Sequence, residues 1–401
     1  KYPHLGKPGP AIGFLQEVVR FWDRWLKDVD NAADADPMLR VWMQDPAPPT
    51  MYYERRSGRW VGERSWPSPN IEERRYTLGR GGLVREGRPV KARKLTIQSP
   101  LSVGAFAGKW CSFSATPDLP HDQREEDGGA LVFQSVRLAE PIEILGAVEV
   151  DLVFESNQPV AMIAARLSSV FPDDRATRIT YGLFNLTHRE GHHAPKALEP
   201  GKTYRVTVRL NEIAQVVEAG QRLRLSLSTS YWPIAWPPPR PARLSILTSE
   251  STLRVPVRTG SDGDRALREF GPVEMTQPPT RAAIEPRRYE WLVTRDLARD
   301  ISRLEVIKDE GLVRYEDIDL DIYARDVERY SYEVADFTSV RGETQAVRRL
   351  EREGFRIETR ARTELTCTEE HFCLHAELDA YEGRHRVFAR SFDRTIDRDH
   401  L

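Results

Sequence analysis

The sequence contains no run of 18 apolar residues and no basic segment leading into an apolar one at its start, so neither a membrane-spanning helix nor a secretory leader is legible. Cysteine is scarce: Cys111, Cys367 and Cys373 are odd in number, cannot all pair within one chain and form no C-x-x-C. Charge of one sign is not in excess. Lysine plus arginine total 59 against 61 acidic residues, a formal net charge of −2 that leaves no electrostatic footprint for nucleic acid or an anionic membrane. There is no G-x-S-x-G nucleophile elbow, no H-E-x-x-H and no glycine-rich phosphate loop with its lysine. These gaps exclude a self-contained α/β-hydrolase site, a zincin and a nucleotide site of the usual kinds. Ser261 follows a glycine, but its polar surroundings supply no strand–turn–helix context, so it reads as structural.

With 401 residues, 40% hydrophobic and 30% charged, the chain has the composition of a folded protein of two to three domains. Phe14, Leu15, Val18, Val19, Trp22, Trp25, Leu26 and Val29 recur every three or four residues among charged ones. This spacing predicts an amphipathic helix over Ile12 to Val29, its aromatic stripe packing on a layer largely outside this chain. From Met38 onward short strands take over, at Met38 to Met43, Met51 to Glu54 and Gly58 to Ser65. Trp60 and Trp66 either meet a ligand or cover an edge.

The β signal is clearest from Ala130 to Val257. Tyr204, Val206, Val208 and Leu210 alternate with Arg205, Thr207 and Arg209, and Leu223, Leu225 and Leu227 repeat the pattern. Two packed antiparallel sheets supply the two apolar faces this needs, so a sandwich or jelly roll fits better than a βαβ sheet. The prolines of Tyr231 to Pro241 make a rigid loop carrying Trp232 and Trp236, read as packing on its own protein in preference to a proline-motif ligand. Residues 259–287, rich in glycine, proline and charge, read as a linker. Further strands follow over 288–401, with a meander from Phe355 onward and a short helix or bend at Thr344 to Gly354.

Two clusters invite a metal reading. Cys367, His371, Cys373 and His375 have suggestive spacing, but the last three also alternate along one face of a strand; the structural reading is preferred, and a Cys367–Cys373 disulfide stays open. His188, His192 and His193 lie close together, yet Asn185 and Glu190 complete no recognised ligand set, which favours a solvated or substrate-facing loop.

The ordered blocks GPAIGFLQEVVRFWDRWLKDVDN (9–31), PMLRVWMQ (37–44), DQREEDGGALVFQSVRLAEPIEILG (122–146), PVAMIAARLSSVFPDD, YGLFNLTHR and LEPGKTYRVTVRLN resemble the C-terminal portion of the cocaine esterase-like and X-Pro dipeptidyl-peptidase family of CocE/NonD-type serine hydrolases. The resemblance implies a mainly β chain. Residues 1–36 are then the end of an α/β-hydrolase domain otherwise missing here, 37–258 a galactose-binding-like jelly-roll sandwich, 259–287 a linker and 288–401 a β-rich extension. It implies an acyl-enzyme mechanism on esters or N-terminal X-Pro peptides in the intact protein, needing no metal or organic cofactor. The family's triad histidine ends a G-P-W-x-H segment just upstream of Lys1, so His4 is only a weak catalytic candidate and no serine or aspartate partner is assigned. Trp232 and Trp236 become candidates for a substrate pocket or an interdomain contact. The expected partners are the missing hydrolase domain and a small ester or peptide, with no nucleic acid, no membrane span and an oligomer left open; the location is left open, a soluble, cytoplasmic one being favoured. The competing reading is a stand-alone carbohydrate-binding or assembly module.

Overall fold

The computed structural model describes residues 3–112, 117–260 and 262–401. Those residues are mainly β. One long helix, α1 (Phe14–Lys27), precedes strands gathered into a 15-stranded and an 8-stranded sheet. Helix α1 ends where Asp28 turns into the left-handed region at φ 56°, and Lys27 reaches back to Asp23 at 2.7 Å. No residue of the helix is buried.

The larger sheet runs from Leu39–Gln44 to Thr252–Arg258 and folds over on itself. Met162–Val170 is held between Ala176–Asn185 and Arg222–Ser228, while Thr203–Arg209 pairs along its whole length with Glu149–Ser156. The alternation seen in the sequence places Val206 and Val208 inward beside exposed Arg205, Thr207 and Arg209. Leu152, Phe154, Ile163, Leu167, Leu223 and Leu225 meet in one sealed core, in an arrangement consistent with a β-sandwich. Each such side chain contributes about 1.5–3 kcal/mol by leaving water. Met51 to Glu54 is a loop and not a strand, because no neighbour offers it a ladder.

The smaller sheet is an antiparallel meander of long strands: Ile301–Tyr315, Leu320–Glu333, Arg341–Arg352, Phe355–Cys367, His371–Glu382 and His385–Asp397. Arg281–Ala283 and Arg288–Asp296 share the outer edge of Ile301–Tyr315. The segment expected as a helix or bend, Thr344 to Gly354, is instead mostly strand. Its residues favour helix individually, but continuous pairing on both edges supplies every backbone group with a partner and overrides that preference. One face of the meander is a ladder of ion pairs, Arg329 to Glu305 at 2.6 Å, Arg362 to Glu343 at 3.0 Å and Arg341 to Glu364 at 2.7 Å.

The opposite face meets the larger sheet through an aromatic joint. Trp232, 4% exposed, packs edge-on against Trp236 (4.9 Å) and Tyr330 (5.9 Å), and Trp236 against Phe372 (5.7 Å). Buried Arg398 crosses the same joint, donating to the carbonyls of Pro237 (2.6 Å) and Thr368 (3.2 Å). Beyond Thr259 the chain is laid along the sandwich and α1: Phe270 packs edge-to-face against Trp60 (5.0 Å) beneath the Arg40 guanidinium (3.7 Å), and the Glu274 N–H donates to Gln16 Oε1 (2.9 Å).

Candidate functional site

An open cavity of about 840 Å³ lies on the flank of the larger sheet. Its floor is the end of Leu39–Gln44 with Ile213–Val217, which pair in parallel at Gln44 and Gln215. Apolar Leu39 and Val41 face the small core of Met43, Val61, Leu145 and Ala214, so this floor is rigid. Aromatic side chains form the walls: Trp42, Tyr53, Trp66, Trp110 and Tyr181.

Two guanidiniums enter that apolar enclosure. Arg56 donates to Asp45 O (3.2 Å) and Gln215 Oε1 (3.1 Å) and lies 4.6 Å over the Tyr53 ring. Arg178 donates to Tyr231 Oη (2.6 Å) and lies 4.3 Å over Tyr181, whose own hydroxyl donates to Trp110 O (2.9 Å). Among the described residues neither arginine has a carboxylate within ion-pair distance. Burial lowers the proton affinity of Arg56 and raises the pKa of the Tyr53 and Tyr181 phenols, so both phenols remain protonated donors. Lys109 at the rim pairs with Glu328 of the smaller sheet.

The wall carrying Lys109 and Trp110 is fixed from beneath. The Glu126 carboxylate, the one buried side chain of the one-turn helix Arg124–Asp127, accepts the N–H groups of Gly104 (2.5 Å) and Phe106 (2.7 Å). Gly104 sits at φ +117°, where a Cβ would lie 2.2 Å from Trp232 O, so only glycine permits this approach. Desolvation pushes the Glu126 carboxyl upward, opposed by the nearby Arg166 cation and the two amides.

A second exposed surface belongs to α1. Leu15 is 74%, Trp22 50%, Trp25 56% and Leu26 72% exposed, an aromatic face with nothing packed on it among the described residues. Chain continuity ties it to the cavity, because Pro8 before the helix and Met38 after it both line the rim.

The residues singled out in the sequence are dispersed. His4 lies half-buried in the turn Pro3–Leu5, where Pro3 O accepts the N–H groups of Gly6 and Ile12. Trp232 and Trp236 lie in the joint between the sheets and do not line the cavity. Of the earlier pair, Trp66 lines the cavity, whereas Trp60 packs between Trp42 and Phe270. Ser261 lies outside the described residues. Cys367 is buried in the joint and Cys373 points to the other face of the meander, one ladder step away, so these two do not form the disulfide left open above. His371 and His375 are salt-bridged to Asp397 and Asp393. Among the described residues no group of three or more histidine, cysteine or acidic side chains is arranged to hold a metal. Arg56, Arg178 and Tyr181 carried no sequence signal, since isolated arginines in an arginine-rich chain look alike.

The model of the X-Pro dipeptidyl-peptidase C-terminal non-catalytic domain matches residues 31–267. The cocaine esterase of Rhodococcus sp. (strain MB1 Bresler) is 24% identical over 225 residues, covering 53% of this chain and 37% of that protein. Among solved structures, an aminopeptidase from a marine sediment archaeon, a Thaumarchaeota archaeon, covers 61% of this chain and 44% of that one at 17% identity and a TM-score of 0.48. A CocE/NonD family hydrolase from Staphylococcus aureus covers 61% and 45% at 13% identity and a TM-score of 0.47. The chain thus spans little more than a third of the length of the curated relative. It belongs to the family of the X-Pro dipeptidyl-peptidase C-terminal non-catalytic domain.

Proposed function

We propose that this chain is the non-catalytic C-terminal portion of a serine hydrolase that acts on esters or N-terminal X-Pro peptides through an acyl-enzyme. In this reading residues 1–36 close the α/β-hydrolase domain, 37–258 form a jelly roll, 259–287 connect and 288–401 are an extension. The observation that carries it is the bare aromatic face of α1. A 14-residue helix with no buried residue gains almost nothing from tertiary packing, so its stripe calls for a covering body. The cavity supports the same reading: among the described residues its two guanidiniums have no carboxylate within ion-pair distance and suit an acidic loop of the covering domain, and its aromatic walls suit an acyl or prolyl group beside the active site. Since Pro8 and Met38 flank the helix and line the cavity, a single body can cover both.

The test is the full-length parent. Its upstream coding sequence should contain a nucleophile elbow with acid and histidine partners, and the parent should show a burst on p-nitrophenyl esters or X-Pro anilides. This chain alone should turn over neither. Replacing Trp22 and Trp25 by Asp in the parent should sever the domains and abolish turnover. A parent without the triad, or sustained turnover by the isolated chain, defeats the reading. Exposed Trp110 and Trp66 beside the cavity favour a second reading, sugar stacking by a stand-alone module, which a glycan-binding screen of this chain checks.

A further inference from the structure

We propose that the outer edge of the smaller sheet, His385–Asp397, pairs antiparallel with the same edge of a second copy of this chain, joining two 8-stranded sheets into one. That strand is 13 residues long and is hydrogen-bonded on one side only, to His371–Glu382. Among the described residues no strand pairs with its other side, and every residue of it except Phe392 is exposed. Folded proteins usually blunt such an edge with proline, lysine, a short strand or a covering segment. The opposite edge of this sheet follows that rule, being shared by the short Arg281–Ala283 and by Arg288–Asp296 with Pro286 between them. His385–Asp397 contains neither proline nor lysine, and it holds Val387 (61% exposed), Phe388 (47%) and Ile396 (51%) in the open.

The order of charges along the strand selects a second copy as the occupant. Opposed side chains in a ladder share a face, and faces alternate at every residue, so a two-fold pairing of identical strands sets one residue against itself. Centring on Arg390 opposes that arginine to itself and Arg386 to Arg394; centring on Phe392 opposes Arg390 to Arg394; centring on Asp393 opposes two carboxylates. Centring on Ala389 leaves 394–397 unpaired. Only Ser391 at the axis pairs the whole strand with no like charges facing each other. His385 of each copy then faces Asp397 of the other, whose side chain is 79% exposed and open to a further partner. Phe388 faces Arg394, and Arg390, already 4.5 Å over its own Phe392 ring, faces the second copy's equivalent ring. Val387 faces Thr395, a β-branched pair, while small Ala389 faces Asp393 and leaves that carboxylate its bond to His375 (2.7 Å). The pairing also gives the bare backbone groups of both edges partners.

The experiment measures the mass of this 401-residue chain by analytical ultracentrifugation over a range of concentrations. Expected is a reversible dimer of twice 46.0 kDa. Ser391→Lys, which sets two cations against each other at the axis, should weaken dimerisation by more than about tenfold. Thr294→Lys, on the opposite edge of the sheet, should leave it unchanged. Mild oxidation then tests the register. Directly opposed residues lie about 4.5–5.5 Å apart at Cα, within disulfide reach, so Ser391→Cys should give a covalent dimer above the wild-type background. Val387→Cys should not, because its counterpart is displaced by eight residues, about 27 Å along the strands. Circular dichroism of each variant establishes that it is folded. A wild-type chain that stays monomeric overturns the proposal, as does a folded Ser391→Lys variant that dimerises as tightly as wild type, which would move the association to another surface such as the bare face of α1. Cross-linking of Val387→Cys as readily as Ser391→Cys overturns it too.

Discussion

Replacing Arg258 by Met tests how the larger sheet is held together at the end of its last strand. The Arg258 side chain is fully buried, yet it carries a charge. Its Nε donates to Glu63 (2.5 Å), its Nη1 to Asp264 (2.8 Å) and Glu143 (3.2 Å), and its Nη2 again to Asp264 (2.7 Å). Glu63, 1% exposed, also accepts from Ser68 (2.5 Å) and Asn70 (2.8 Å). The Met side chain roughly fills the volume but leaves Glu63 an uncompensated buried anion. Breaking one side of a buried ion pair costs about 3–5 kcal/mol. At about 2–4 °C per kcal/mol for a unit of 150–250 residues, the melting transition of the larger sheet should fall by about 6–20 °C. Adding Glu63→Gln should recover much of that loss, because the stranded charge is removed. Scanning calorimetry reads both. A single variant that loses less than about 1 kcal/mol, or a double variant no better than the single, refutes the reasoning. Acid should act in the same direction. Desolvation raises the Glu63 pKa, but hydrogen bonds from Ser68, Arg258 and Asn70 outweigh it and hold the carboxyl below its ordinary value of 4.5. A depressed carboxylate contributes stability that is present above its unfolded pKa and is lost as pH falls through the folded one. The wild type should therefore lose this contribution below pH 4.5, whereas the double variant has none to lose.

Trp232→Ala should part the two sheets by opening the aromatic joint, at a cost of about 3–5 kcal/mol; limited proteolysis should cut faster within 275–287, and unchanged cleavage would contradict this. His375 should titrate above 6.5, because hydrogen bonds from its ring to Asp393 (2.7 Å) and Glu377 (3.2 Å) favour the charged form. Its raised pKa gives a contribution present below 6.5 and lost as pH rises through the folded value. Asp393→Asn should bring the midpoint down by NMR, and a wild-type midpoint at or below 6.5 would refute the pairing.

Much of the fold was legible because strand alternation is a local signal. Arg205, Thr207 and Arg209 lie outward as their spacing requires, and Leu223, Leu225 and Leu227 inward. The stretch from Thr344 failed for the converse reason: Thr-Gln-Ala-Val-Arg-Arg-Leu suits a helix residue by residue, and only its two long neighbours make it a strand. The placing of Trp232 and Trp236 was half legible. A proline-braced loop with two tryptophans announces packing, but nothing local says that Tyr330 and Phe372, about 100 and 140 residues away, are what they pack against.

The two surfaces of the candidate site differ in the same way. The stripe of α1 is written in one continuous segment at the helical period, so the helix and its apolar face were readable. The cavity is assembled from distant segments, Pro8, 38–56, Trp66, 109–120, 145–146, 169–181 and 211–215, and its arginines mean something only once Tyr53 and Tyr181 are beside them. A guanidinium on the open surface finds counter-ions and water cheaply. One held over an aromatic ring in a partly buried wall, with carbonyl, amide or phenol acceptors and no carboxylate within ion-pair distance among the described residues, feels its anions, Asp45 for Arg56 and Glu126 for Arg178, only through space. On the reading proposed above, one covering surface, apolar where it meets α1 and acidic where it meets Arg56 and Arg178, would answer both features.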